Sequence, residues 1–173
     1  MNGKTLEEYV NSLGRGYRNL RRAYDEVVSG KLNIMDPNPP KVFVEYLLRF
    51  DYSTWFWVTI SLTIITIASV CLTSLIPQAI YLRYVAGSIF TLFIVGYTTV
   101  ELLYPEEGSL SDLERLALSI GLSLAVVPLI GLALNYTPWG IRLEPVLTVL
   151  TLYSTLTALG AAYRKYINLR MRS

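Results

Sequence analysis

The sequence predicts an all-α, polytopic membrane protein in which four transmembrane helices follow an N-terminal cytoplasmic amphipathic helix. Three observations carry this prediction. The chain of 173 residues is 53% hydrophobic and 16% charged, whereas a soluble domain charges about a quarter of its residues. No charge falls between Asp51 and Arg83, from Tyr84 to Val100, from Leu116 to Ile141, or from Pro145 to Tyr163, and each run reaches or approaches the roughly 17–25 residues that cross about 30 Å of hydrocarbon. The first fifty residues are polar, so the first apolar run is a true span and not the core of a cleaved signal peptide. Residues 1–50 are therefore expected to form a cytoplasmic amphipathic and interfacial segment, and 51–173 a membrane domain with spans near 53–76, 80–103, 114–134 and 145–164.

In chain order, Thr5 to Glu8 reads as a capping box that opens a helix, because the hydroxyl and the carboxylate can each satisfy the other residue's amide. Leu6, Val10, Leu13, Tyr17, Leu20, Tyr24 and Val27 recur at three- and four-residue spacing and share one stripe. Arg15, Arg18 and Arg22 fall on the opposite face, suited to a protein partner or to anionic headgroups. Gly14 and Gly16 each weaken a free-standing helix by about 1 kcal/mol relative to alanine, so a tertiary or partner contact is needed to hold it. Four acids (Glu7, Glu8, Asp25, Glu26) share this helix, which argues against nucleic acid. Ser29 and Gly30 supply the stop. The prolines at 37, 39 and 40 then push the chain into an extended elbow. A short interfacial helix follows, with Val42, Phe43, Tyr46, Leu47 and Phe50 on its apolar side and Lys41, Glu45 and Arg49 at i,i+4 spacing on the other. Tyr52, Trp55 and Trp57 mark headgroup depth.

Lysine and arginine are concentrated before the first span and after the fourth, while the two presumed outer loops hold only Arg83 and Arg142. The positive-inside rule therefore predicts a multi-pass plasma-membrane protein with both termini in the cytoplasm. Ala117, Gly121 and Ala125 form one small-residue stripe and Ser154, Ala158 and Ala162 another. Such stripes let helix backbones approach in lipid, and the expected result is a tight hairpin of spans three and four, turned at residues 135–145 with Trp139 at the interface. Pro128 is expected to bend span three.

The chemistry is sparse. There is no histidine, and the single cysteine, Cys71, lies inside the first span, so the commonest general base and any disulfide within the chain are excluded. No phosphate loop, nucleophile elbow or zinc motif occurs. Thr59, Ser61, Thr63, Thr66 and Ser69 are hydroxyls that can bond back to their own helix. Glu101 stands out, since a carboxylate at the apolar end of a span needs a partner. Arg115, Arg164 and Lys165 are the candidates, and with Glu114 they define a polar cluster at the cytoplasmic lip. The alternative is a pocket in which Glu101, Glu106, Glu107 and Asp112 hold a divalent ion beside a lipid phosphate. No Asp-x-Asp pair supports it, and Ser111 or Asp112 has a simpler use as a helix cap, with Glu114 in the first turn. No catalytic residue, metal ligand or cofactor is expected. Arginine outnumbers lysine and Gln78 is the single glutamine, a composition that points to a heat-adapted source.

With "GKLNIMDPNPP", "YSTWFW" and the run from "LFIVGYTTVELLYPEEG" to "NYTPWGI" in view, the chain resembles an archaeal multispanning membrane-protein family of unknown function over roughly residues 30–151. In that family a Leu-Pro-Gly-Tyr turn precedes an aromatic-proline pair and a Glu-Arg that opens a span. Here these are Ile94 to Tyr97, Tyr104-Pro105 and Glu114-Arg115. Val95 replaces the family's usual proline, which favours a continuous second span. A shorter pattern is similar to parts of glycosyltransferases that use polyprenyl-phosphate sugars. The expected function is a non-catalytic accessory or scaffold subunit of an archaeal membrane or envelope complex, with the bilayer and other subunits or further copies as partners. The alternative is a protein handling polyprenyl phosphate or lipid-linked glycan.

Overall fold

The computed structural model describes residues 12, 14, 17–28, 40–73, 76–106 and 108–172. All regular elements among the described residues are helical, and the chain divides into two units, one ending at Pro39 and the other running from Pro40 to Arg172.

In the first unit, α1 spans Tyr17–Val28. The single front helix expected from Thr5 does not run through Gly14. That residue takes φ +96°, a left-handed conformation that an α-helix cannot include, and Asn19 Nδ2 donates to its carbonyl at 3.0 Å. Arg18 and Arg22 are exposed, as is Tyr24 from the expected apolar stripe. The Thr5 to Glu8 cap, Arg15, the Ser29-Gly30 stop and the elbow over 31–39 lie outside the described residues.

The second unit contains the short helix α2, Phe43–Leu48, and four helices long and apolar enough to cross a membrane: α3 Phe50–Thr73, α4 Ile80–Leu103, α5 Asp112–Asn135 and α6 Leu143–Arg172. Each presents large apolar side chains outward. On α3, Val58, Ile64, Ile65 and Leu72 are exposed, while the buried face is Ser53, Phe56, Thr59, Thr63, Thr66 and Ser69. In water this pattern would be inverted; in lipid, small and hydroxylated residues belong where backbones meet. The buried hydroxyls of Thr59, Thr63 and Thr66 donate to the carbonyls four residues back at 2.8–2.9 Å, so they are satisfied within α3 and form no chain across the bilayer.

The C-terminal half of α4 lies between α5 and α6, and α3 packs on α4 and α6. One core joins α2 to α3 and α6 through Tyr46, Phe56, Ala158, Ala162 and Tyr166, and a second joins Phe90, Ile94, Val95 and Leu150. The short helix is fastened by its carbonyls: Ser53 Oγ and Trp57 Nε1 both donate to Leu47 O at 2.7 Å, and the Tyr166 hydroxyl donates to Lys41 O at 2.8 Å. Leu47 O is one of the acceptors that the last turn of a six-residue helix leaves open, and Lys41 O lies just before its N-cap, Val42. Tyr46 is buried and Phe43 and Leu47 are half-buried, but Val42 and Phe50, expected on the same side, are exposed with Val44 and Leu48.

Candidate functional site

Glu101 stands on the last turn of α4 and is only 2% exposed. Arg115 Nη1, one turn into α5, binds its Oε1, and Lys165 Nζ from α6 lies 2.5 Å from its Oε2. Tyr97 stands one turn earlier on α4, close enough to interact with this carboxylate. Lys165 rests in turn on the Trp55 ring of α3, 4.4 Å from the centroid. All four long helices therefore meet at one buried charge. Arg164 joins the same end differently, donating from Nη1 to the Leu102 carbonyl, one of the orphan acceptors at the α4 C-terminus.

Glu114 does not join this cluster. Its carboxylate accepts from the Ser111 amide at 2.9 Å while the Ser111 hydroxyl accepts from the Glu114 amide at 3.4 Å, a complete capping box that starts α5. The geometry explains the departure, because a side chain engaged with the residue before its own helix cannot also reach Glu101. Glu106 and Asp112 are exposed. Among the described residues no three acids, histidines or cysteines are grouped as a metal site.

A second feature ends seven residues before Glu101. The helix α4 is continuous but carries a π turn over Phe90–Ile94, where the Val95 amide reaches back five residues to the Phe90 carbonyl. The next amide, Gly96, donates out of the helix to Ser123 Oγ on α5 at 2.7 Å. A Cβ added at Gly96 would meet the Ser119 carbonyl oxygen at 1.9 Å and the Ser123 amide at 2.5 Å. Only glycine fits this seam. On the α6 side, Thr157 donates to Thr98 at 2.9 Å, and the Thr99 and Tyr153 hydroxyls are 3.0 Å apart.

This seam corrects the expected hairpin of spans three and four. Ser154, Ala158 and Ala162 are buried, but Ala117, Gly121 and Ala125 are exposed, and nothing lies within 4 Å of a Cβ placed on Gly121. The inward small face of α5 is instead Ser119 and Ser123, both 0% exposed. The stripes are equally small. The serine stripe alone supplies an acceptor for a backbone amide, and within hydrocarbon an unpaired amide is costly. The available signals were the i,i+4 serines and the glycine directly after the apolar run Leu92–Val95, while nothing in the sequence marks Trp55 as a support for Lys165.

A family model described as a domain of unknown function (DUF8471) matches residues 64–170. No curated protein and no solved structure matches the chain. The matched region holds Glu101, Arg115, Lys165 and the Gly96 seam, and begins after Trp55 and α2.

Proposed function

The chain belongs to the DUF8471 family, and from that premise we propose that it is a membrane-embedded accessory or scaffold subunit of an archaeal membrane or envelope complex, without catalysis of its own. The observation that carries this reading is the division of labour on α5. Its inward serines and Arg115 hold the bundle together, while its outward face presents Ala117, Gly121 and Ala125 with open space above Gly121. A flat small-residue face toward lipid allows a further transmembrane helix to approach closely. The Glu101 end carries Lys41, Arg49, Arg115, Arg164, Lys165 and Arg170, against Arg83 and Arg142 at the other, which supports both termini in the cytoplasm. Arg18 and Arg22, exposed on α1, would then meet a cytoplasmic partner or anionic headgroups.

The test is a photo-crosslinking amino acid placed at Leu124, exposed beside Gly121 on the same helix, in native membranes. Adducts with another subunit or a second copy are expected, and Gly121→Phe should abolish them without altering thermal unfolding of the purified chain. A lone monomer that gives no adduct would reject the reading.

A second reading rests on the charge excess at the Glu101 end: Arg115 and Lys165 pair with its carboxylate, and Arg164, bonded to the Leu102 carbonyl, adds a third cation. Such an excess suits the phosphate of a polyprenyl phosphate or a lipid-linked glycan. Arg115→Ala and Arg164→Ala should then each weaken binding of a polyprenyl phosphate to the purified protein; unchanged binding rejects it.

A further inference from the structure

A groove of about 280 Å³ lies between α3, α4 and α6 at the end of the bundle opposite Glu101. Its inner wall is apolar: Phe90 and Leu150, each 1% exposed, with Val70, Val146 and Leu147 beside them. The two threonines that line it do not make it polar, because Thr66 Oγ1 donates to Leu62 O and Thr91 Oγ1 to Gly87 O, both at 2.8 Å. Gly87 keeps the middle open, with nothing within 4 Å of a Cβ built on it. From Arg83 to Phe90 the groove follows α4 for seven residues, about 10 Å at the helical rise. Its length runs along α4.

Arg83 lines this groove one turn into α4, with no ion pair or hydrogen bond to any described residue. A cation at that depth calls for a counter-charge. The sequence at this end of the bundle offers one acid, Glu144, against two arginines, Arg83 and Arg142, so the protein leaves a positive charge unmatched. An apolar groove with an unpaired guanidinium on its wall is complementary to one class of molecule. We propose that the groove is a binding site for an anionic membrane lipid, one hydrocarbon chain lying along Phe90 and Leu150 and the phosphate paired with Arg83. The guanidinium fork matches phosphate oxygens two at a time, which a lysine would not do.

Native mass spectrometry of the full chain in neutral detergent, titrated with phosphatidylglycerol or phosphatidylcholine, tests this. One phosphatidylglycerol should be retained about tenfold more tightly than phosphatidylcholine, the factor that a charge-assisted pair of about 1.4 kcal/mol supplies. Arg83→Gln should abolish that preference, and Arg142→Gln should leave it intact. Gly87→Leu, or Leu147→Trp if the first variant unfolds, should remove tight binding of both lipids by filling the groove. Soluble glycerol phosphate should not displace the lipid. The proposal is overturned by equal affinity for the two lipids, by equal losses in the two arginine variants, or by displacement with glycerol phosphate, which would place the phosphate without a chain. A dimer that Gly87→Leu abolishes and phosphatidylglycerol leaves unchanged would put a second copy in the groove and overturn it as well.

Discussion

The two halves of α4 are continuous in backbone and opposite in construction. Before the π turn, Ile80–Ile89 has no buried residue; after it, Val95–Leu103 buries Val95, Gly96, Thr98, Val100 and Glu101. The N-terminal half borders an open groove, whereas the C-terminal half is gripped by α5 and α6 through a glycine contact, hydroxyl bonds and a carboxylate held by two cations. Hydropathy is nearly the same on both sides, so apolar content does not decide which half is held. In lipid, where burying apolar surface gives no drive, the half with close backbone approach and internal polar bonds becomes the core.

The largest effect should come from the charge at the tight half. Glu101→Leu leaves Arg115 and Lys165 beside an apolar group with no counter-charge, and removing one partner of a buried ion cluster destabilises by about 3–5 kcal/mol. Reversible unfolding in mixed micelles should show this loss, and Arg115→Leu in the same background should restore part of it. If Glu101→Leu unfolds like the parent, the clasp does not hold the helices.

Gly96→Ala comes next. A methyl group 1.9 Å from the Ser119 carbonyl oxygen has no rotamer by which to escape, so α4 and α5 must separate, at about 1–3 kcal/mol for overpacking and more if the Ser123 bond also breaks. Hydrogen exchange should rise at the Gly96 seam and stay unchanged around Gly87. Ser123→Ala removes the acceptor without adding bulk. Its expected loss is smaller, about 0.6 kcal/mol and up to about 1.7, the range measured for interhelical hydrogen bonds in membranes.

The sequence made the four helices legible because a charge-free run of bilayer length has few other uses. It also marked Glu101 as too deep to stand alone, and named the three cations that gather at its end of the bundle. The choice between the two faces of α5 was not legible. Ala117/Gly121/Ala125 and Ser119/Ser123 have the same spacing and similar size, and the deciding factor, an amide directed out of α4 after a π turn, arises from a change of helical register that residue types do not announce. The break at Gly14 was nearer to view, since glycine weakens a helix and here takes a positive φ that an α-helix does not include.

The smallest effect tests the comparison most directly, because it puts the same chemical change on the other half of the same helix. Gly87→Ala adds a methyl group where nothing lies within 4 Å, on a residue that already has helical geometry. No backbone has to move. Alanine restricts the unfolded chain more than glycine does, so the expected change is a gain of about 0.4–1 kcal/mol, opposite in sign to Gly96→Ala. Measured in lipid-free detergent, so that no groove occupant contributes, a higher unfolding midpoint for Gly87→Ala beside a lower one for Gly96→Ala would show that the two glycines serve different ends. If both lowered stability alike, the N-terminal half would be as closely packed as the C-terminal half, and the π turn would divide nothing.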